Sequence, residues 1–153
     1  MNKVIWLDLE ETIINNWNDG LFTYHTHQLK QWLKKQDVTS VNIFSFAIYD
    51  VKDKAHFLSS GMKTSIEQAL GVIIDEVPSV ADIQTQVYKY ESVKYDSLYE
   101  FIQINGKQWG FIKFCQLSPD QHNILIDDAV LTCTFINDKT QQKTQLINVF
   151  DIY

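Results

Sequence analysis

The sequence predicts an α/β domain of three layers, with a mainly parallel sheet between helices. Three observations carry that expectation. Short apolar runs of strand character recur along the chain, as in KVIWLDL, VNIFSFAIY and HNILIDDAV. Segments with apolar residues at helical spacing lie between them, an alternation that favours parallel strands joined by helical crossovers. Three of the runs also end in chemically capable side chains, and the carboxyl ends of strands are where such sheets bind ligands.

In chain order, residues 3 to 9 form an apolar run that stops at acids, which marks a buried strand reaching a polar edge. The segment INNWNDGLFTYH carries the turn signal Asn18-Asp19-Gly20 between aromatics and predicts a small hairpin or flap over about 15–25. Thr26 then opens a helix to about residue 36, with Leu29, Trp32 and Leu33 on its inner side. Residues 41 to 49 read as the second strand. Met62, Ile66, Ala69 and Leu70 repeat at helical spacing, so 53–70 reads as helical with Gly71 as its C-cap. VIIDEVPSV is an apolar stretch broken by Pro78, and the segment from Asp82 to Ile104 fits either helix or extended chain. Asn105-Gly106 marks a turn, after which Lys107 to Leu117 predicts a helix with Trp109, Phe111, Ile112, Phe114 and Cys115 facing inward and Ser118-Pro119 ending it. HNILIDDAV is a strand ending at paired acids, and TQLINVFDIY is a final strand at the sheet edge.

At 153 residues, with 45% hydrophobic and 21% charged residues, the chain has the size and composition of one globular domain. No apolar stretch approaches the ~20 residues of a spanning helix, and charges interrupt the N-terminal segment, so the expectation is a cytoplasmic protein without a membrane partner. Cys115 and Cys133 match no metal-ligand spacing and read as buried thiols. All 13 basic residues are lysines, against 19 acids, for a formal charge of -6. Arginine, which supplies bidentate contacts to phosphate and guanine, is absent, which argues against a nucleic-acid partner. Lys30, Lys34 and Lys35 fit a solvated helix face. The bias toward lysine, asparagine and isoleucine points to an AT-rich coding genome, a phage's among those that would give it.

The chemical signal is a convergence of carboxylates. Asp8 and Glu10 follow the first strand, Ser45 lies in the second, and Asp127 and Asp128 end a later one. Carboxylates brought to one crevice repel each other unless a cation or a proton intervenes. Magnesium suits them, because it takes hard oxygen ligands and bridges carboxylates to phosphate. A carboxylate can also attack phosphorus to give an aspartyl-phosphate.

Asp8-Leu9-Glu10-Glu11-Thr12-Ile13-Ile14 resembles the first motif of the haloacid dehalogenase (HAD) superfamily, Asp-x-Asp-x-Thr followed by apolar residues. The later features are similar in order: a strand carrying a hydroxyl, Asn42 to Phe46; a lysine opening a helix, Lys107; and a strand ending in acids, Ile124 to Asp128. The resemblance implies a single Rossmann-like domain over the whole chain, with the flap but no large cap domain. It further implies a magnesium-dependent phosphatase acting on a phosphorylated substrate. Asp8 would be the nucleophile and Glu10 the general acid and base. Ser45, Lys107 and Thr12 would bind the phosphoryl group, with Lys94 and Lys113 as alternatives for the lysine. Asp8, Asp127 and Asp128 would hold magnesium, joined by the residue-10 position, which the family uses through its backbone carbonyl.

Glu10 stands where the family has its second aspartate. The extra methylene moves the carboxyl group by ~1.5 Å, and misplacement near 1 Å can cost around a hundredfold in rate. A weak or lost activity is therefore part of the expectation. One alternative is a non-catalytic HAD-like binding or regulatory protein, with Trp17, Phe22 and Tyr24 of the flap offered to a protein partner. Another is a DEDD-type 3′-5′ exonuclease, since Asp8-Leu9-Glu10 also fits the first motif of that group, and His122 with Asp127 fits its last.

Overall fold

The computed structural model describes residues 2–116, 118 and 120–152. The chain runs β1 (Asn2–Leu7), α1 (Thr26–Lys35), β2 (Ser40–Ile43), α2 (Val51–Ser59), α3 (Met62–Leu70), β3 (Ile73–Ile74), α4 (Val80–Tyr90), α5 (Leu98–Cys115), β4 (Gln121–Asp127), β5 (Cys133–Ile136), β6 (Lys143–Asn148) and a 3-10 turn, Val149–Ile152. The strands form one six-stranded sheet in the order β3-β2-β1-β4-β6-β5. Every neighbouring pair is parallel except β5 with β6. The fold is thus α/β with a mostly parallel, mixed sheet, as Rossmann-like folds have.

The period-two alternation of strands divides the core between the two faces. Ile5, Leu7, Ile124 and Ile126 face one side and pack with Leu29 and Leu33 of α1, Phe57 of α2, and Ile66 and Leu70 of α3. Trp6, Leu125 and Leu146 face the other and pack with Ile83 and Val87 of α4 and Phe101, Phe111 and Cys115 of α5. Helix boundaries follow from local chemistry. Asp50 caps α2 by accepting the Lys52 and Asp53 N–H groups, Ser79 and Asp82 form a reciprocal capping box on α4, and Gly71 closes α3 in the left-handed conformation.

Several expectations are corrected. The second strand stops at Ile43 rather than 49, because Ser45 turns the chain: its Oγ accepts the Ala47 N–H at 3.2 Å. The helix expected over 53–70 is two helices, broken at Gly61, where φ is 89°. The ambiguous segment after Asp82 resolves into helix α4, an irregular stretch over 91–97 and the first half of α5. TQLINVFDIY gives an interior strand, not an edge one, since β5 covers it, and its end turns into the 3-10 segment. Trp109 faces outward, 48% exposed, and Cys133 is half-buried on β5. The helix end expected at Leu117 and the stop at Pro119 lie outside the described residues. Among the described residues, no helix is long and apolar enough to cross a membrane.

The flap forms. Ile14 pairs antiparallel with Phe22, Gly20 N–H closes on the Asn16 carbonyl at 3.1 Å, and Gly20 takes the positive φ that the turn requires. Trp17 is partly buried and packs beside Phe57, whereas Phe22 and Tyr24 stay exposed.

Candidate active site at the carboxyl ends of three strands

β2, β1 and β4 are neighbours, so their carboxyl ends open on one cleft. Asp8 is the first residue past β1, held there by its N–H to the Ile126 carbonyl at 3.0 Å. Asp127 ends β4, and Ser45 lies two residues past β2. Asp8 shares the parity of Trp6, and Asp127 that of Leu125, so both carboxylates aim toward the face covered by α5. The cleft has a volume of ≈ 490 Å³ and is lined by Asp8, Glu10, Ser45, Lys107, Asp127 and Asp128 among others.

Lys107 reaches this point through a kink in α5. Gly106 interrupts the helix with φ 64° and ψ -172°, a conformation that favours glycine. Buried Asn105 fixes the kink from behind, its amide donating to the Phe101 carbonyl at 3.0 Å and its Oδ1 accepting from Lys113 Nζ at 2.7 Å. Lys107 Nζ then lies 2.7 Å from Asp8 Oδ1 and 3.0 Å from Asp127 Oδ2, with the Phe44 and Phe46 rings beside it. Lys113 is paired with Glu91 instead, and Lys94 lies over the Tyr88 ring, so Lys107 alone of the three candidates meets the carboxylates.

Thr12 links the two acidic loops. It is fully buried, its hydroxyl donates to Asp8 Oδ2 at 3.2 Å and accepts the Asp128 N–H at 3.1 Å. That hydroxyl bridges the two loops, so Thr12 orients the carboxylates that meet there. Asp127 Oδ1 accepts the Ala129 N–H at 2.7 Å. Ser45 is buried at the cleft wall, and because its oxygen accepts the Ala47 N–H, its hydroxyl hydrogen is available to a ligand. The Glu10 side chain lines the cleft, but its Oε2 accepts the Trp17 N–H at 2.8 Å, tying the carboxylate to the flap.

The electrostatics are those of too little positive charge. Burial pushes the Asp8 carboxyl up despite the Lys107 ammonium beside it, and Asp127 pushes it further. Burial, with Asp127 and Asp8 close by, raises Asp128 to about 7. Burial alone would lower the Lys107 pKa, yet the two carboxylates outweigh it and hold the ammonium charged. One cation thus faces three carboxylates. Oxygens of Asp8, Asp127 and Asp128 lie within 4.8 Å of one another, so the three could hold a metal ion. The Glu10 carboxylate is not part of that group.

The exonuclease pairing does not assemble. His122 and Asp127 sit near opposite ends of β4, five residues and so ~16 Å apart along the strand. β1 also has parallel neighbours on both sides, with a helix before β2.

The sequence reading missed the double duty of Thr12 and the Asn105–Lys113 brace. The first had a signal, a threonine four residues after Asp8; the second joins residues whose meeting depends on the kink. No family model matches the sequence, and neither the curated proteins nor the solved structures give a match of significance.

Proposed function

We propose that the protein is a magnesium-dependent phosphatase-like hydrolase of the HAD type, acting on a phosphate monoester through an aspartyl-phosphate. The observation that supports it most is the buried pair of Asp8 and Asp127 sharing Lys107 at adjacent strand ends, with Asp128 beside them. The donor set fits magnesium: three carboxylates, hard oxygens only, in a site left with excess negative charge. Bound there, magnesium supplies positive charge against the phosphoryl oxygens.

In the first step an Asp8 oxygen attacks phosphorus, the bond from phosphorus to the leaving oxygen breaks, and that oxygen takes a proton from Glu10. In the second, the Glu10 carboxylate takes a proton from water, whose oxygen attacks phosphorus. The bond to Asp8 breaks, releasing inorganic phosphate and restoring the carboxylate. Lys107 and the Ser45 hydroxyl hold the phosphoryl oxygens throughout.

The test is hydrolysis of a generic aryl phosphate with and without magnesium. Turnover that needs the metal and disappears in Asp8→Asn is expected. A wild-type protein inert with the metal overturns the enzyme assignment. The second reading, a non-catalytic binding protein on the same fold, draws on the Glu10 hydrogen bond to Trp17, which holds the expected proton carrier against the flap. Tight binding of inorganic phosphate and magnesium without turnover would favour it.

A further inference from the structure

The phosphoryl cleft is not closed on its flap side. Glu11, Asn15 and Asp128 also line a second hollow of ≈ 360 Å³, whose far wall is Thr23, Tyr24, His25 and Phe150. The two spaces share these three residues and so lie side by side.

The far end has a definite chemistry. Tyr24 is 73% exposed and Phe150 54%, yet both rings rest on buried His25, Tyr24 at 4.1 Å and Phe150 edge-on at 4.7 Å. Two large, exposed rings held against one buried ring offer a stacking platform. No lysine lines this hollow, so a second phosphate would find no cation to pair with there. The Asn15 side chain makes no hydrogen bond among the described residues, and its amide can meet a polar ring edge. The hollow's position fits a leaving group, because it adjoins the phosphoryl cleft at Glu11, Asn15 and Asp128, next in sequence to Glu10 and Asp127 of that cleft.

We infer that this hollow selects a phosphate monoester whose leaving group is an uncharged flat ring, either a nucleoside or a simple aryl-alkyl group. The inference rests on the phosphatase reading above for the position of the phosphoryl group. It sets specificity at Tyr24 and Phe150, neither of which takes part in the phosphoryl chemistry.

Benzyl phosphate and cyclohexylmethyl phosphate test it, since they match in size and nearly in leaving-group basicity but only the first is flat. A nucleoside 5′-monophosphate, the corresponding 3′,5′-bisphosphate and ethyl phosphate complete the set. Rates are read on the wild type, Tyr24→Ala and Phe150→Ala, and binding is read by calorimetry on Asp8→Asn. The expected result is a preference for benzyl over cyclohexylmethyl phosphate of about tenfold, the size of one good ring stack, lost in Tyr24→Ala. Rejection of the bisphosphate and unchanged ethyl phosphate kinetics in both variants are expected too. The nucleotide and benzyl arms decide which ring source fits better. Equal turnover of all esters, unaffected by either variant, overturns the subsite and leaves the phosphatase reading intact. Ring-dependent binding without turnover keeps the subsite and removes the phosphatase. Absence of both binding and turnover overturns the two together.

Discussion

Two concave regions of this molecule hold ion pairs, and they differ in what surrounds the charges. At the carboxyl ends of the strands, Lys107 meets Asp8 and Asp127 with side-chain exposures of 12%, 8% and 1%. Elsewhere, a larger groove of ≈ 730 Å³ runs over β1 and β2 between α4 and the end of α5, past Trp6, Asn42 and Phe114. Its rim carries the Lys54–Asp82 pair at 3.1 Å, with both partners well exposed. By volume alone the groove would be the better site. Its charges, however, are solvated: Lys3, Asp75 and Glu76 are exposed and Lys54 is paired with Asp82, so nothing in it demands a ligand. The smaller cleft keeps two buried carboxylates and a third partly buried one against one ammonium. Charge that the fold cannot neutralise is a stronger pointer to chemistry than empty space.

The largest expected effect breaks the comparison directly. Lys107→Met leaves Asp8 and Asp127 buried without their cation, and removing one partner of a buried pair costs about 3–5 kcal/mol. Lys54→Met removes an exposed partner and should cost under ~1 kcal/mol. Denaturant unfolding of both variants at neutral pH checks this. The Lys107→Met deficit should also shrink on acidification, because a proton can take the place of the ammonium on Asp8, whose folded pKa is already raised. Equal costs for the two substitutions would mean that the cleft is as wet as the groove.

A smaller effect sharpens the same contrast from the ligand side. If the excess negative charge is a cation site, magnesium at a hundred times its dissociation constant should stabilise the protein by about 2.7 kcal/mol. In Asp127→Asn the remaining carbonyl oxygen can still accept the Ala129 N–H, so that variant should fold normally and lose the gain. Lys54→Met should keep it in full. Thermal unfolding with and without magnesium is the measurement, and a wild type indifferent to the metal counts against the site.

How far the sequence revealed this site depends on the range of the interactions. Asp8, Ser45 and Asp127 were legible because each sits at or just past the end of an apolar run, and a parallel sheet brings such ends together without further information. Lys107 was legible for a different reason: Asn105-Gly106 is a turn signal, and the structure uses it as a kink that puts the next residue into the cleft. The reading went wrong where a side chain competes with the backbone. Ser45 ends β2 by accepting the Ala47 N–H, and no apolar pattern announces that. It also missed β5, a four-residue strand that alternates only between half-buried and exposed positions and packs as an antiparallel edge. The Thr12 contact with Asp128 was not legible either, since the two residues are 116 positions apart and only the fold brings them together.

The smallest expected effect lies at the groove rim and carries a pH signature. Asp82 closes the capping box of α4 by accepting the Ser79 N–H at 2.9 Å, and it pairs with Lys54. Its slight burial would raise its pKa, but the Ser79 N–H and then Lys54 hold it below the usual carboxylate value. A carboxyl group with a lowered folded pKa contributes stability above its unfolded value of ~3.9, and that contribution fades as pH falls through the folded value. Asp82→Ala should therefore cost about 0.5–1 kcal/mol at pH 7, the ordinary worth of a cap, and progressively less below pH ~4. Unfolding curves of wild type and variant across that range make the comparison. A gap that stays constant into strong acid would show that the carboxylate charge contributes nothing at this rim, and that Asp82 acts there through packing alone.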